Sequence, residues 1–226
     1  MEKAIETLHF RLQPIVKIPT GQTVGFEVLS TLPSDKAVEE YFAKASKSFL
    51  LKIIHAQLSV RVDEEFSIFM NIPTKIFRDD QMCNQIREHI AFRNINVELQ
   101  DPENLMDADK ESLRSIKRNI ALFEQCGARV WLDDVKENML SLVSRMNIYG
   151  VKIDKTVLWK YREKNHSMFA SFVGALKLFT DKVLVEGVER TTDLDMARRV
   201  GLDYGQGFYW PEISLKKQND FLNVPH

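Results

Sequence analysis

The chain has 226 residues, of which 44% are hydrophobic and 28% are charged, and its formal net charge is −1. No apolar run approaches the roughly 18 residues that cross a bilayer, and the first residues lack the basic and apolar segments of a secretory signal. We therefore expect a cytoplasmic protein without a membrane anchor. The near-neutral charge gives no general attraction for polyanions, so direct binding to nucleic acid is not expected.

Short segments that favour β-structure recur along the chain and alternate with amphipathic segments at helical spacing. Such a βα alternation with about eight strands indicates a mostly parallel sheet, closed into a barrel and covered by helices. Because no linker or internal repeat interrupts the pattern, residues 1–226 are predicted to form one domain. Predicted strands cover 10–16, 23–29, 67–72, 95–99, 129–132, 150–153 and 182–185, with a weaker one near Tyr204, and the clearest helical segments are 49–58, 113–123 and 168–179.

The first two predicted strands depart from the alternation. Only residues 17–22, which include a Pro-Thr-Gly turn, separate them. So short a connection predicts an antiparallel hairpin, because a parallel crossover needs about a dozen residues or more. The predicted fold class is therefore α/β, a modified TIM-type (β/α)8 barrel with one antiparallel strand.

Polar residues stand where the predicted strands end, and most of them are acidic. The carboxyl ends of barrel strands converge on one face, so these side chains are expected to meet there. Carboxylates brought together repel one another unless they share cations, and Mg²⁺ or Mn²⁺ is the expected counter-charge. The residues are Glu27, Asn71, Glu98, Asp133, Asp134, Asp154, Glu186 and Gln206.

Lys152 precedes Asp154 by two residues, so the strand period directs both side chains into the barrel. A lysine among carboxylates and metals can move a proton or orient a water during hydrolysis of a phosphodiester. Taken alone, however, such a lysine is more typical of a solvated surface. Each acid taken alone is more typical of a helix N-cap, and Asp154, before Lys155 and Thr156, is a candidate for that role.

The order of these segments resembles that of the motifs of EAL domains, which bind and, when intact, hydrolyse cyclic di-GMP. The family is named for a Glu-Ala-Leu tripeptide, to which residues 27–29, Glu-Val-Leu, are similar. The resemblance covers about residues 8–211 and rests, in chain order, on LQPIV, GFEVL, FMNIP, NVELQD, WLDD, VKID, VLVEGVE and YGQGFYW. The family's barrel with one antiparallel strand agrees with the hairpin derived above.

The resemblance also implies a role for each of eight residues, with Mg²⁺ or Mn²⁺ as cofactor. Glu27, Asn71, Glu98 and Asp133 would hold the first metal, while Asp133 would be shared with the second, which Asp134 also holds. Lys152 would be the base or the residue that orients water. Glu186 would be a further acidic site residue, and Gln206 would orient a water at the metals.

Four departures from the family pattern concern the metal loop or the ligand. The typical DDFGTGYSSL is here DDVKENMLSL, in which Lys136 and Asn138 replace glycines, so we expect the loop conformation of active members not to be reproduced. Asp101 replaces a glutamate that anchors this loop. Thr31 replaces an arginine that contacts the anionic ligand, and Glu212 stands where a basic residue is common. One lost ionic hydrogen bond would cost about 1.5–3 kcal/mol.

Two functions follow from these observations. The departures, together with the lack of a sensory or GGDEF domain in the sequence, favour a degenerate regulator with weak or no hydrolysis and weak cyclic di-GMP binding. It would act on a protein partner such as a transcription regulator of flagellar motility, with Trp159 and Tyr161 as candidate exposed anchors. The complete set of ligands favours the alternative, an active metal-dependent phosphodiesterase specific for cyclic di-GMP. A barrel enzyme with another substrate is the third alternative.

Overall fold

The computed structural model describes residues 9–31, 45–90 and 93–215. Their strands are β1 (His9–Lys17), β2 (Gln22–Thr31), β3 (Ser67–Pro73), β4 (Ile95–Gln100), β5 (Arg129–Val135), β6 (Gly150–Ile153), β7 (Lys182–Val185), β8 (Tyr204–Gly205) and β9 (Ile213–Leu215). Their helices are α1 (Lys47–Leu58), α2 (Thr74–Phe77), α3 (Asp80–Arg87), α4 (Lys110–Gln125), α5 (Leu140–Met146), α6 (Lys155–Tyr161), α7 (His166–Leu176) and α8 (Thr191–Arg199). Single 3-10 turns lie at Pro102–Leu105 and Glu137–Met139.

The sheet closes on itself as a barrel. Strands β2 to β8 follow one another in order as parallel neighbours, and β1 lies between β8 and β2, antiparallel to both. The predicted fold class, a modified TIM-type barrel with one antiparallel strand, is confirmed. Strand β9, which the sequence did not predict, pairs with the first half of β1 and lies outside the eight-stranded closure.

The hairpin between β1 and β2 forms because its connection can turn within four residues. Gly21 adopts a φ of 73°, in the left-handed region that glycine enters without steric strain, and its amide donates to the carbonyl of Lys17 over 2.8 Å. The hairpin sets Gln13 of β1 directly opposite Glu27 of β2. A side chain of the antiparallel strand is thereby placed at the same mouth of the barrel as the ends of the parallel strands.

The helices cover the outside of the barrel and bury their apolar stripes against it. The predicted segments 49–58, 113–123 and 168–179 correspond to α1, α4 and α7. Helix α4 begins after an N-cap residue, Asp109, whose carboxylate accepts a hydrogen bond from the amide of Ser112. The remaining helices are too short for a clear periodic pattern. None of the helices described here is long and apolar enough to span a membrane.

The barrel interior holds its own small core, separate from the main core between sheet and helices. This interior core consists of Ile15, Phe69, Trp131 and Leu184, with Val24, Tyr149 and Tyr204 packed against it. On the parallel strands β3, β5 and β7, the residues two positions further along the chain face the interior as well, because side chains alternate along a strand. The interior therefore has an aromatic and aliphatic layer beneath a second layer at the carboxyl mouth.

A glycine in β6 makes room for the largest side chain of that interior core. A Cβ built on Gly150 would lie 2.5 Å from two ring carbons of Trp131 and 3.0 Å from the carbonyl oxygen of Lys182. Trp131 is only 1% exposed and its ring fills this space. The Trp131 ring can therefore adopt this position only because residue 150 has no side chain.

We expect Gly150→Ala to lower the free energy of unfolding by about 1–3 kcal/mol, because a methyl group there overlaps a rigid, enclosed ring. The matched control is Gly174→Ala in α7, where an added Cβ meets nothing within 4 Å. That change should raise stability by about 0.5–1 kcal/mol, since alanine favours a helix over glycine. Urea unfolding of both variants checks the prediction, and equal stability of the two would contradict it.

A candidate metal centre at the carboxyl mouth of the barrel

The eight residues to which the resemblance gives a role all lie at the carboxyl mouth of the barrel. Each of them lies on one of seven strands or directly follows its strand, so the closure of the barrel brings them together. They are Glu27 of β2, Asn71 of β3, Glu98 of β4, Asp133 and Asp134 of β5, Lys152 of β6, Glu186 after β7 and Gln206 after β8.

Lys152 stands at the centre of this group. Its Nζ lies 3.2 Å from Glu27 Oε2, 3.1 Å from Glu98 Oε2, 3.2 Å from Asp133 Oδ1 and 3.0 Å from Glu186 Oε1. The side chain is fully buried, so the alternative of a solvated surface lysine is wrong. One ammonium group cannot neutralise four carboxylates, and this excess of negative charge has to be met by protons or by further cations.

Two amide side chains hold Glu27 in place beside the lysine. Asn71 Nδ2 donates to Glu27 Oε1 over 2.6 Å, and Gln206 Nε2 donates to Glu27 Oε2. Gln206 Nε2 also donates to Gln13 Oε1 over 2.6 Å. Gln13 carries no strand-end signal of its own, but its position opposite Glu27 in the predicted hairpin could have identified it from the sequence.

The amide and carboxylate oxygens of this group have fewer partners than buried polar atoms usually have. Within the described part of the chain, no hydrogen bond reaches Asn71 Oδ1, Gln206 Oε1, Asp133 Oδ1 or either carboxylate oxygen of Glu98. Two of these oxygens are within ion-pair distance of Lys152 Nζ, but their geometry is not that of a hydrogen bond. Buried polar atoms are seldom left unpaired, and oxygen donors of this kind fit a hard divalent cation.

A second cluster lies beside the first. Asp133, Asp134 and Glu186 each offer a carboxylate oxygen, and these oxygens all lie within 4.8 Å of one another. Consecutive residues of a regular strand point to opposite faces, so Asp133 and Asp134 need an irregularity to serve one site. The pairing of β5 with β6 shifts register between Leu132 and Val135, and Asp134 has a φ of 51°. This bulge turns both adjacent acids toward the mouth.

Burial and mutual repulsion shift the pKa of most of these acids upward. Burial raises the pKa of Asp134 to about 8, with the charges of Asp133 and Glu186 adding to the effect. Burial also raises the pKa of Glu186 to about 7, against the opposing charge of Lys152. The same causes raise the pKa of Asp133 and Glu98. Near neutral pH the metal-free cluster therefore retains protons.

Glu27 and Lys152 form the charged pair within this cluster. Burial acts to raise the pKa of Glu27, but the Lys152 charge and the hydrogen bonds from Gln206 and Asn71 together lower it. For Lys152, burial acts to lower the pKa, and the four surrounding carboxylates outweigh it, so the pKa lies well above its usual value. Lys152 is thus an ammonium group in this site and donates rather than accepts hydrogen bonds.

The loop that follows the paired aspartates has ordinary backbone angles. Lys136 is extended, with φ −113° and ψ 167°, and Asn138 lies in the 3-10 turn Glu137–Met139 without a positive φ. This loop therefore places no demand for glycine at either position. Lys136 Nζ lies 4.0 Å from Asp154 Oδ2 at the rim, and Asp154 accepts from the amide of Thr156 over 2.7 Å. The N-cap interpretation of Asp154 is confirmed.

The other departures are less uniform. The Glu212 carboxylate pairs with Arg11 Nη1 at 2.6 Å, so its charge is largely compensated. Asp101 is exposed and adopts a left-handed conformation with φ 56° before Pro102–Leu105. The side chain of Thr31 lies outside the described residues. The Glu212 change is therefore compensated within the chain itself.

The two candidate interface anchors also differ from each other. Tyr161 is only 3% exposed, stacks on Phe169 and donates its hydroxyl to Glu137, so its assignment as an exposed anchor was wrong. Trp159 keeps 37% of its surface exposed while its indole donates to the carbonyl of Gly187 over 2.9 Å. Helical spacing places residues two apart on different sides, which accounts for the difference.

Comparison with known proteins matches the model of the EAL domain to residues 2–212. The chain is 24% identical to the probable cyclic di-GMP phosphodiesterase PdeB of Escherichia coli K12, over 98% of this chain and 46% of PdeB. It is 23% identical to the cyclic di-GMP phosphodiesterase TpdA of Vibrio parahaemolyticus, over 92% of this chain and 37% of TpdA. The chain thus spans less than half the length of either relative.

Among solved structures, the fold is similar to that of BlrP1 from Klebsiella pneumoniae in a manganese and cyclic di-GMP complex. The TM-score is 0.74 at 18% identity, over 92% of this chain and 56% of that one. At this identity the likeness concerns the fold alone. The family model spans nearly the whole sequence and every strand of the closed barrel, and the chain therefore belongs to the EAL domain family.

Proposed function

We propose that this chain is a metal-dependent phosphodiesterase that hydrolyses cyclic di-GMP. The observation that carries the proposal is the set of buried oxygens around Lys152 that have no hydrogen-bond partner in the described part of the chain. Such a group is costly to bury unless cations complete it. The names of PdeB and TpdA, both cyclic di-GMP phosphodiesterases, support the choice of substrate.

Each side chain of the mouth has a task in this proposal. Glu27, Asn71, Glu98 and Asp133 would hold one Mg²⁺ or Mn²⁺ ion, and Asp133, Asp134 and Glu186 would hold the other. Such a pair of ions polarises a phosphodiester and lowers the pKa of water. Gln206 anchors Glu27 and has its Oε1 left to orient a water.

Between the two roles considered for Lys152, we favour the orienting one. Its raised pKa keeps the ammonium protonated near neutral pH, so its Nζ has no lone pair with which to accept a proton. From its position among the carboxylates it can donate a hydrogen bond to the attacking water or to a phosphate oxygen. A positioned charge of this kind stabilises the negative charge that develops during attack on a phosphodiester.

The structure of the rim bears on how fast such an enzyme can be. Lys136 brings a cation to the loop where the family has glycine, and this charge favours an anionic ligand. Arg11, by contrast, is engaged by Glu212 and is less available to a phosphate. We expect the loss of ligand contacts at Arg11 and at position 31 to prevail, so that hydrolysis is present but slower than the enzyme median of about 10 per second.

A second candidate function is regulation through a protein partner, as in a degenerate EAL protein that acts on a motility regulator. The observation that favours it is a group of exposed aromatic side chains near the segment 187–188: Phe208 is 73% exposed, Tyr209 39% and Trp159 37%. Trp159 bonds to Gly187, and the amide of Tyr209 donates to Val188. Exposed aromatic residues are frequent energetic anchors of protein interfaces.

We expect the purified protein with Mg²⁺ or Mn²⁺ to convert cyclic di-GMP to the linear dinucleotide, and we expect two substitutions to act differently. Glu27→Ala should weaken metal binding and also lower the rate. Lys152→Ala should spare metal affinity and lower the rate by roughly 10²- to 10⁴-fold. Chromatography of the nucleotides and calorimetric metal titration measure the two effects.

Glu64→Ala is the control, because this exposed acid lies in the turn before β3, at the end of the barrel opposite the mouth, and should leave both quantities unchanged. The proposal fails if the folded wild-type protein shows no turnover at any metal concentration. Equal metal affinity of the wild-type protein and Glu27→Ala would remove Glu27 from the ligand set.

We expect Mg²⁺ to stabilise the protein more at pH 8 than at pH 6. The pKa of Asp134 is raised from 3.8 to about 8 and that of Glu186 from 4.5 to about 7, so the folded metal-free protein keeps protons that the unfolded chain has released. Its stability therefore falls as the pH rises from about 4 to 8, by up to about 1.4 kcal/mol per pH unit for each such proton. Metal binds the deprotonated carboxylates and offsets this loss.

Thermal unfolding with EDTA and with saturating Mg²⁺, at pH 6 and pH 8, measures this dependence. The Tm in EDTA should fall between the two pH values, and the Tm in Mg²⁺ should fall less. Asp134→Asn removes one of the two titrating groups and should reduce the pH dependence in EDTA. An identical effect of Mg²⁺ at both pH values would contradict the assignment.

The two candidate functions predict different behaviour in cells. In a strain that lacks this protein, Glu27→Ala and Lys152→Ala should abolish control of motility and raise the cyclic di-GMP level if hydrolysis is the function. Phe208→Ser should then have little effect on either. Control that survives both site variants but is lost with Phe208→Ser would instead favour the regulator that binds a protein.

A further inference from the structure

The loop that follows β7 carries one residue of the candidate metal centre and contacts another. This β7–α8 loop, residues 186–190, begins with Glu186, and its Val188 amide donates to the carbonyl oxygen of Gln206 over 3.0 Å. The paired residues of β7 end at Val185. Beyond this ladder, contacts with the neighbouring helices determine the course of the loop.

The backbone of the loop is packed closely against α6. A Cβ built on Gly187 would lie 2.5 Å from Lys155 Cβ and 2.8 Å from Trp159 Nε1. The indole of Trp159 donates to the carbonyl oxygen of Gly187 over 2.9 Å. The residue next to Glu186 is therefore held against α6 by both packing and a hydrogen bond.

Arg162, which directly follows α6, joins both ends of the loop through one guanidinium group. Its Nη2 donates to the carbonyl oxygen of Gly187 over 3.3 Å and to Glu189 Oε2 over 2.7 Å. Its Nε and Nη2 also donate to the two carboxylate oxygens of Asp193, each over 3.0 Å. The Arg162 side chain is only 15% exposed, so this bidentate ion pair is largely shielded from solvent.

Asp193 connects this arginine to the far end of the loop. It is 1% exposed, and its Oδ2 accepts from the amides of Glu189 over 3.0 Å and Arg190 over 3.1 Å. An acid at the third position of a helix often reaches back to the N-cap residue, and this alone would account for Asp193. A helix cap does not require a bidentate arginine from another helix. The contact with Arg162 therefore fixes the start of α8 relative to α6.

Glu186 is the acid around Lys152 that depends most on such support. Glu27, Glu98 and Asp133 lie within strands and their side chains are at most 7% exposed, whereas Glu186 follows its strand and its side chain is 20% exposed. Packing around the Glu186 carboxylate is thus the least complete of the four. Its direction is set largely by the backbone of the β7–α8 loop.

We propose that Arg162, together with Asp193, is a positioning residue for Glu186. The two side chains hold the β7–α8 loop so that the Glu186 carboxylate stays beside Asp133 and Asp134, where the three oxygens lie within 4.8 Å of one another. This inference rests on the proposed function, in which these three acids hold one of the two metals. Residues that orient a metal ligand commonly change metal affinity about 10- to 100-fold when they are replaced.

A double-mutant cycle in the intact protein tests whether Arg162 acts through Glu186. In calorimetric titrations with Mn²⁺, Arg162→Ala should weaken binding at one of the two metal sites about 10- to 100-fold. In the Glu186→Gln background the same change should have less than about a twofold effect, because the carboxylate that it positions is already lost. In the Asn71→Ala background, which affects the other metal, the full effect of Arg162→Ala should persist.

Hydrogen exchange of the metal-free protein in EDTA gives a readout that needs neither metal nor turnover. Arg162→Ala should speed exchange of the Val188 and Glu189 amides about tenfold or more and leave the amides of β4 unchanged, because only the loop is released. The matched control is Arg198→Ala, an exposed arginine of α8 whose acidic partner, Asp195, lies on the same helix. It should alter neither the exchange nor the metal affinity.

Two results would overturn the proposal. Unchanged metal affinity of Arg162→Ala would show that the loop does not control Glu186, and an equal loss in the Glu186→Gln background would show that Arg162 supports the fold in general. If Arg162→Ala does not fold, Trp159→Phe, which removes only the donor to Gly187, enters the same cycle and decides by the same criterion. Wild-type protein that binds Mn²⁺ without turnover would contradict the proposed function alone, because the cycle is read from metal affinity.

Discussion

The buried ammonium group of Lys152 among four carboxylates is the interaction on which the rest of this molecule depends. Four acids and one lysine come from five strands of the barrel, and the lysine charge acts on all four acids because one oxygen of each lies 3.0–3.2 Å from the same nitrogen. The barrel must close for this to happen, and the cluster in turn requires cations or protons. Fold and cofactor demand are therefore linked through one side chain.

Two irregularities of the sheet bring side chains to the site that regular parallel strands would direct elsewhere. The bulge in β5 aims Asp133 and Asp134 at the same mouth, at a backbone strain of about 1–3 kcal/mol for a left-handed aspartate. The reversed strand β1 sets Gln13 beside Gln206, and this pair fixes the amide that holds Glu27. Each irregularity departs from the regular parallel sheet and thereby places a side chain at the candidate site.

The interior of the barrel consists of two layers that share their strands. The carboxyl layer is polar and charged, and the layer beneath it is aromatic, with Trp131 seated against Gly150. Trp131 and its hydrogen-bond partner Asn96 lie two residues before Asp133 and Glu98 on β5 and β4, so the packing of the lower layer helps to fix the strands that carry these acids.

From the sequence alone, the strand order, the hairpin and the chemical nature of the mouth could be predicted, because strand period, turn length and acidic strand ends are local signals. The short helices and β9 could not, since three to nine residues carry too little periodicity. Only the tertiary structure showed that Lys152 is buried, that Tyr161 is not exposed and that Glu212 is paired with Arg11, 201 residues away. Burial and long-range pairing depend on which strands become neighbours, and that is decided when the barrel closes.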